Sequence, residues 1–211
     1  MQVLIFTNGE YGDYSFCKVL PQYDYVICAD NGMKHAKVLG IQPNELLGDF
    51  DSCNPEELEF YRQQGIHVVT SPCEKDETDT ELALDRAIAL GAKTIYVLGG
   101  LGTRIDHTLA NIHLLYKALA QGVRVVLLNA YNQVELIEKS IRLEGHKGDL
   151  VSLMPFTPSV KGVSTTHLAY QLNDGEFYFG KPYGVSNYMT NEWAEVTIKE
   201  GLLLVMKIKD S

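Results

Sequence analysis

Thr94-Ile95-Tyr96-Val97-Leu98-Gly99-Gly100-Leu101-Gly102-Thr103-Arg104-Ile105-Asp106-His107 reads as a short apolar strand, a glycine-rich turn and the start of a helix. The strand is apolar on both faces, as suits a parallel sheet buried between helices. The helix continues with Ile105, Leu109, Ile112, Tyr116 and Leu119 at spacings of +4, +3, +4 and +3, which puts these five on one face. Similar apolar runs occur upstream at Val3–Phe6, Tyr25–Ala29 and Val68–Val69, and downstream at Val123–Leu128. Helical signals fill the gaps. Thr78-Asp79-Thr80-Glu81 is a capping-box pattern whose helix stops at Gly91. Pro55 suits the first turn of another helix, ending near Gly65. Strand and helix in alternation predict a Rossmann-like α/β domain over residues 1–130, with an open parallel sheet covered on both sides.

Beyond Tyr131-Asn132 the periodicity changes. Turn signals recur about every ten residues, at Glu144-Gly145, Pro155, Pro158, Asn173-Asp174-Gly175, Gly184 and Glu200-Gly201. Strand-like runs lie between them at Leu150–Met154, Leu168–Leu172, Phe177–Phe179, Ala194–Ile198 and Leu202–Ile208. This pattern predicts an antiparallel β-sandwich over residues 133–211. A unit this small is expected to pack on the first domain or on another subunit.

The 211 residues are 45% hydrophobic, which argues against intrinsic disorder. Lys and Arg total 18 against 27 Asp and Glu, a net charge of −9, so no nucleic-acid partner is expected. No apolar stretch approaches the roughly 20 residues of a membrane span, and the N-terminus lacks a charged leader. Cys17, Cys28, Cys53 and Cys73 form no CxxC pair and are expected to be reduced thiols in a cytoplasmic protein.

Ligands of open α/β sheets bind at the carboxyl ends of the strands. Here those loops are acidic: Ala29-Asp30-Asn31-Gly32, Gly48-Asp49-Phe50-Asp51-Ser52, Lys75-Asp76-Glu77-Thr78-Asp79, and Asp106 after the glycine turn. Carboxylates crowded into a small volume repel one another, and a divalent cation resolves the repulsion. Mg²⁺ takes oxygen ligands and commonly bridges one or two carboxylates to substrate phosphates. Asp49 and Asp51 alternate along an extended segment and are expected to face the same side. Arg104 is the strong cation among these loops, suited to holding a phosphate and stabilising developing charge. Each aspartate also has a plainer reading as a turn or cap residue, Asp79 and Asp106 above all because they stand at helix starts.

Two glycine signals carry less. Gly99-Gly100-Leu101-Gly102 is not GxGxxG, although its backbone amides are placed to meet a phosphate. The stretch from Gly175 to Lys181 approaches a P-loop spacing, but Pro182 replaces the metal-binding hydroxyl and no helix follows, so it reads as a hairpin. Ser186-Asn187 is a polar pair among aromatics, either a turn over a core or one wall of a pocket for a flat heterocycle.

Ala29–Gly32, Gly48–Ser52, Lys75–Asp79, Gly99–His107 and Gly184–Asn187, in this order, resemble the motifs of the thiamine pyrophosphokinase (thiamine diphosphokinase) family over nearly the whole chain. The resemblance implies an N-terminal α/β domain, a C-terminal β-sandwich and a homodimer with thiamine bound between domains of different subunits. It implies Mg²⁺-dependent transfer of the β,γ-diphosphate of ATP to the thiamine hydroxyl, with release of AMP. It implies that Asp49, Asp51 and Asp79 bind the metal and, with Arg104, form the catalytic group. Asp30, Asp76, Asp106 and His107 join Arg104 as nucleotide-binding residues, and Ser186 and Asn187 as the thiamine-contacting pair. Asn31 and Thr103 depart from the glycines common at those positions in the family.

Two other readings of the same residues stay open. Asp49-Phe50-Asp51 also fits the DxD motif of a glycosyltransferase, which would consume a nucleotide sugar. A sensor of thiamine or nucleotide would bind without turnover and would not need so many carboxylates.

Overall fold

A computed structural model describes residues 1–51 and 53–209; Ser52 of the acidic motif lies outside the described residues. The chain divides into two compact units, Met1–Ala130 and Tyr131–Ser211.

The first unit holds six strands: β1 (Gln2–Phe6), β2 (Tyr25–Ala29), β3 (Glu45–Gly48), β4 (His67–Thr70), β5 (Thr94–Leu98) and β6 (Arg124–Leu128). All pair in parallel, in the order β6-β5-β1-β2-β3-β4. Because the strands are parallel, the loops that follow them leave from one edge. The chain builds outward from β1 through β2 and β3 to β4, and from β5 in the opposite direction to β6. The loops after β1 and β5 therefore part from each other and open a crevice between these neighbours, the position where open α/β sheets bind ligands.

Among the described residues, four α-helices lie between the strands: α1 (Met33–Leu39), α2 (Pro55–Gln63), α3 (Asp79–Ala89) and α4 (Ile105–Leu119). Their ends follow the sequence signals. Asn54 caps α2 by accepting from the Glu56 amide, with Pro55 in the first turn. Thr78 caps α3 by accepting from the Glu81 amide, as the capping-box pattern predicts. Leu4, Phe6, Val26, Cys28, Leu46 and Leu98 from the sheet pack with Met33, Ala36 and Tyr61 into a core.

The apolar row of α4 is not its buried row: Ile105, Leu109 and Tyr116 are each more than half exposed, while Ile112 and Leu119 are partly buried. The buried positions are Asn111, Leu115 and Ala118. This row has the same +4, +3 spacing, and Asn111 at its head is the polar residue that hid it from an apolar count.

The second unit contains β7 (Asn132–Ile137), β8 (Ser140–Glu144), β9 (Leu150–Pro155), β10 (Ser159–Thr166), β11 (Gly175–Tyr178), β12 (Asn187–Tyr188), β13 (Trp193–Thr197) and β14 (Leu203–Ile208). They form two antiparallel groups, β12-β9-β14-β7 and β11-β10-β13-β8. One apolar cluster draws on both, with Leu153, Val160, Val163, Phe177, Val196 and Val205 wholly or almost wholly buried. The P-loop-like stretch is β11 and the turn after it; β11 pairs with β10 before it, so the stretch is not itself a hairpin.

The run Leu168–Leu172 is not a strand. The backbone turns at His167 (φ +59°), and the Tyr170 amide donates to the Asn187 side chain instead of a ladder partner. The Leu172 amide and carbonyl both bond back to Thr165.

Candidate active site

The crevice at the reversal of strand order is a cleft of about 410 Å³. Its lining includes Thr7–Glu10 after β1, Asp30 after β2, Glu77–Thr80 at the start of α3, and Gly99, Gly100 and Gly102–Arg104 after β5. Two backbone segments meet at its floor. A Cβ on Gly9 would stand 2.0 Å from the Gly99 carbonyl oxygen, so only glycine allows this approach. The Tyr11 hydroxyl donates to the Leu98 carbonyl at 2.8 Å and ties the loop after β1 to the end of β5. Tyr11 stacks on His35 with ring centroids 3.7 Å apart, and His35 Nδ1 shares a 2.7 Å hydrogen bond with the Tyr14 hydroxyl. Burial, with Lys34 nearby, lowers the His35 pKa to about 4 and keeps the ring neutral at physiological pH.

The glycine turn is held from below. Asn111 Nδ2 donates to the Gly100 carbonyl at 2.8 Å, and Thr108 Oγ1 accepts from the Gly102 amide at 3.2 Å. Arg104 stands at the N-cap of α4 and forms a bidentate pair with Asp106, at 3.2 and 2.6 Å. Both side chains are largely exposed. The Arg104 guanidinium holds the Asp106 carboxyl down to about 2. Arg104 and His107 line the cleft, and Asp106 is paired with Arg104.

The acidic loops converge on the neighbouring strand ends. Gly48 closes β3 against Asp30; a Cβ there would lie 3.0 Å from the Asp30 Cα. Asp30 and Phe50 both take left-handed backbone conformations, with φ +47° and +59°. Asp49 and Asp51 do converge, by a different route from the expected one. The segment is not extended: it turns at Phe50, and the Asp51 amide donates to Asp49 Oδ1 at 3.1 Å. That hydrogen bond holds the Asp49 carboxyl below its ordinary pKa; burial opposes it, and the charge of Lys75 assists.

Ligand atoms of Asp49, Asp51 and Cys73 all lie within 4.8 Å of one another, a spacing at which one metal ion can be shared. Cys73 was not foreseen as part of this group. Asp79 joins through Lys75, whose Nζ is 2.7 Å from Asp79 Oδ1 and 3.7 Å from Asp49 Oδ2. The oxygens of Asp49 and Asp51 suit Mg²⁺, and the ammonium between Asp49 and Asp79 marks a place where these loops already favour a cation. Asp76 is exposed in the loop before α3. Asp30 accepts from the Cys53 thiol at 3.2 Å.

The second unit presents Ser186 and Asn187 differently. Ser186 is exposed with φ +62°, and its amide donates to Ser152 Oγ. Asn187 is buried; its Oδ1 accepts from the Tyr170 and Tyr188 amides, and its Nδ2 donates to the Tyr170 carbonyl. Its carboxamide thus ties the Tyr170 backbone to the segment that follows Ser186. Tyr170, Tyr183 and Tyr188 are exposed. Trp193 is already engaged by Arg142 over its ring, 4.2 Å away, and by His167 at its edge.

Residues 16–127 match the family model described as thiamin pyrophosphokinase, catalytic domain, and residues 138–203 match that of its vitamin B1 binding domain. The thiamine pyrophosphokinase of Bacillus subtilis (strain 168) is 29% identical over 187 residues, 87% of each chain. Thiamine pyrophosphokinase 1 of Arabidopsis thaliana is 31% identical over 180 residues, covering 80% of this chain and 66% of that one. The crystal structure of the Bacillus subtilis enzyme superposes over the full length of both chains, with a TM-score of 0.90 at 25% identity. A family protein from Enterococcus faecalis does so with a TM-score of 0.83 at 26% identity.

Proposed function

Because the chain belongs to the thiamine pyrophosphokinase family, we propose that it is a Mg²⁺-dependent thiamine diphosphokinase that converts ATP and thiamine to AMP and thiamine diphosphate. The observation that carries this reading is the convergence of Asp49 and Asp51 with the Lys75-linked Asp79, beside a cleft at the reversal of strand order.

The thiamine hydroxyl oxygen forms a bond to the β-phosphorus while the bond from the β-phosphorus to the oxygen bridging the α-phosphorus breaks. AMP departs with the bridging oxygen, and the hydroxyl proton passes to an acceptor in the cleft. Such transfers depend on positioning and charge neutralisation more than on covalent help. Asp49, Asp51 and Asp79 would hold Mg²⁺, which when bound neutralises polyphosphate charge and orients the transferred group. Gly99, Gly100 and Gly102 line the cleft, where backbone amides of a strand-to-helix turn would donate to phosphate oxygens. Arg104 offsets the charge that grows on the AMP side, with Asp106 setting its orientation. Asp30, Asp76 and His107 complete the nucleotide-binding set. Residues 1–130 are proposed as the Mg-ATP domain and residues 133–211 as the thiamine-binding and dimerisation domain. Ser186 contacts thiamine, and Asn187 holds the Ser186 loop in place.

A homodimer is part of the same proposal. The exposed apolar face of α4 and the exposed tyrosines around Ser186 are surfaces that association would cover. The cytoplasm is the proposed location. No helix among the described residues is long and apolar enough to cross a membrane.

Incubating the protein with ATP, Mg²⁺ and thiamine, then separating the products, tests the reaction. Thiamine diphosphate and AMP are expected mole for mole. ADP with thiamine monophosphate would overturn the choice of bond. Turnover only with a nucleotide sugar would favour the glycosyltransferase reading.

A further inference from the structure

We propose that Lys75 is a tethered counter-cation that competes with the divalent metal for Asp49 and Asp79, so that the nucleotide-free protein binds metal weakly. The inference rests on the metal-binding role given above to Asp49, Asp51 and Asp79.

Lys75 is not an ordinary surface lysine. Its side chain is only 11% exposed. Its Nζ donates to Asp79 Oδ1 at 2.7 Å and to Ser71 Oγ at 2.9 Å, and it stands 3.7 Å from Asp49 Oδ2. These three oxygens come from the first turn of α3, the segment after β4 and the end of β3. One ammonium therefore joins three loops of the acidic edge and neutralises two of the three carboxylates assigned to the metal. An ammonium has three N–H donors, and Asp79 and Ser71 occupy two of them at full hydrogen-bond distance. The lysine is within reach because residues 75 and 79 lie four apart across the start of α3, with Thr78 capping the helix between them.

A metal ion that takes Asp49 and Asp79 together brings a second positive charge against this ammonium, so the two cations compete for the same carboxylates. The apparent affinity for metal is then lowered by the fraction of protein in which Lys75 has moved away. A polyphosphate entering the cleft supplies anionic oxygens to the displaced ammonium and further ligands to the metal. Metal and nucleotide thereby favour each other's binding, and the coupling is reciprocal. The empty protein is spared the repulsion of bare carboxylates, and its metal site fills with the nucleotide.

The test is Mn²⁺ binding to the nucleotide-free full-length protein, read from the loss of the free-ion paramagnetic resonance signal. Lys75→Met is expected to bind Mn²⁺ roughly tenfold more tightly than the parent, the scale of removing a charge-assisted competitor. Lys75→Arg keeps the cation and is expected to stay within about twofold of the parent. Lys93→Met removes an exposed charge just before β5, at the opposite end of the parallel strands, and is expected to change little.

A structural anchor would behave in the opposite way, because loosening the loops weakens metal binding. Equal or weaker Mn²⁺ binding by a folded Lys75→Met, with melting temperature and circular dichroism matching the parent, overturns the proposal. Equal tightening by Lys93→Met also overturns it, since the effect would then be one of net charge. Repeating the titration with α,β-methylene-ATP separates this failure from failure of the metal site itself. If the parent holds Mn²⁺ with the analogue and Lys75→Met is no tighter without it, only the role of Lys75 falls. If neither protein holds Mn²⁺ even with the analogue, the metal assignment falls and the role of Lys75 with it.

Discussion

Asp51→Asn is expected to lower Mg²⁺-dependent formation of thiamine diphosphate by about a thousandfold, the scale of losing a main charge-stabilising contact in a transfer site. The fold should be indifferent to the change. Asp51 is exposed beside the Phe50 turn, and its backbone amide donates to Asp49. Asparagine keeps the amide and the shape of the side chain while removing the charge, and a neutral carboxamide is a weaker ligand for Mg²⁺. Thermal unfolding should therefore move by no more than about 2 °C, as for an exposed substitution. Turnover equal to the parent's at saturating Mg²⁺ would refute the assignment of Asp51 as an essential metal ligand.

Arg86→Met should act on stability and leave the chemistry in place. Glu45, at the start of β3, is completely buried and accepts from Arg86 Nε at 2.8 Å and Nη2 at 3.0 Å. The Tyr25 hydroxyl and His67 Nδ1 also reach its Oε2, each at 3.3 Å. This network sits at the amino ends of β2, β3 and β4, opposite the acidic edge. Removing the guanidinium leaves a buried carboxylate short of its strongest partner, a loss of roughly 3 kcal/mol. For a chain of this size that lowers the melting temperature by roughly 6–12 °C.

The pH dependence follows from the Glu45 pKa. Burial pushes it up, but the hydrogen bonds and charges of Arg86 and His67 outweigh burial and hold it below the ordinary glutamate value. The stability it contributes is complete above the unfolded pKa of about 4.3 and is lost as pH falls through the lower folded value. In Arg86→Met the main opposition to burial is gone and the pKa rises. Melting curves from pH 8 to pH 4 should show the deficit of the variant largest at neutral pH and shrinking on acidification. A deficit independent of pH would mean that Arg86 acts through the packing of its aliphatic stem.

The first unit was more legible than the second, for physical reasons. β1, β2, β5 and β6 are buried on both faces, so their sequences are continuous apolar runs with little else to mean. Helix starts were legible because Thr78 and Asn54 cap through local hydrogen bonds that sequence spacing encodes. β10 was missed although it is the longest strand of the second unit. Its reading Ser-Val-Lys-Gly-Val-Ser-Thr-Thr is half polar, and a register shift between Lys161 and Val163 breaks the alternation. Leu168–Leu172 had the composition of a strand, but its amides are taken by Asn187 and Thr165, a long-range choice that no local pattern shows.

The acidic motifs were legible as a set because parallel strands bring their ends to one edge. Their internal arrangement was not. Nothing in the spacing places Cys73 beside Asp49 and Asp51 or slots Lys75 between Asp49 and Asp79; both depend on how the loop after β4 folds back. The bracing of the Ser186 loop by Asn187 is likewise a matter of contacts 17 residues apart. Tyr11 under the cleft had no signal beyond being aromatic.

The central claim is that the β,γ-diphosphate moves as one unit at this acidic edge. It is tested most directly with ATP carrying ³²P at both the β and the γ position, incubated with thiamine and Mg²⁺ through a single turnover. The account predicts thiamine diphosphate labelled at both phosphorus atoms, unlabelled AMP, and no thiamine monophosphate at any time. Labelled ADP accompanied by thiamine monophosphate would contradict it, because the attack would then fall on the γ-phosphorus.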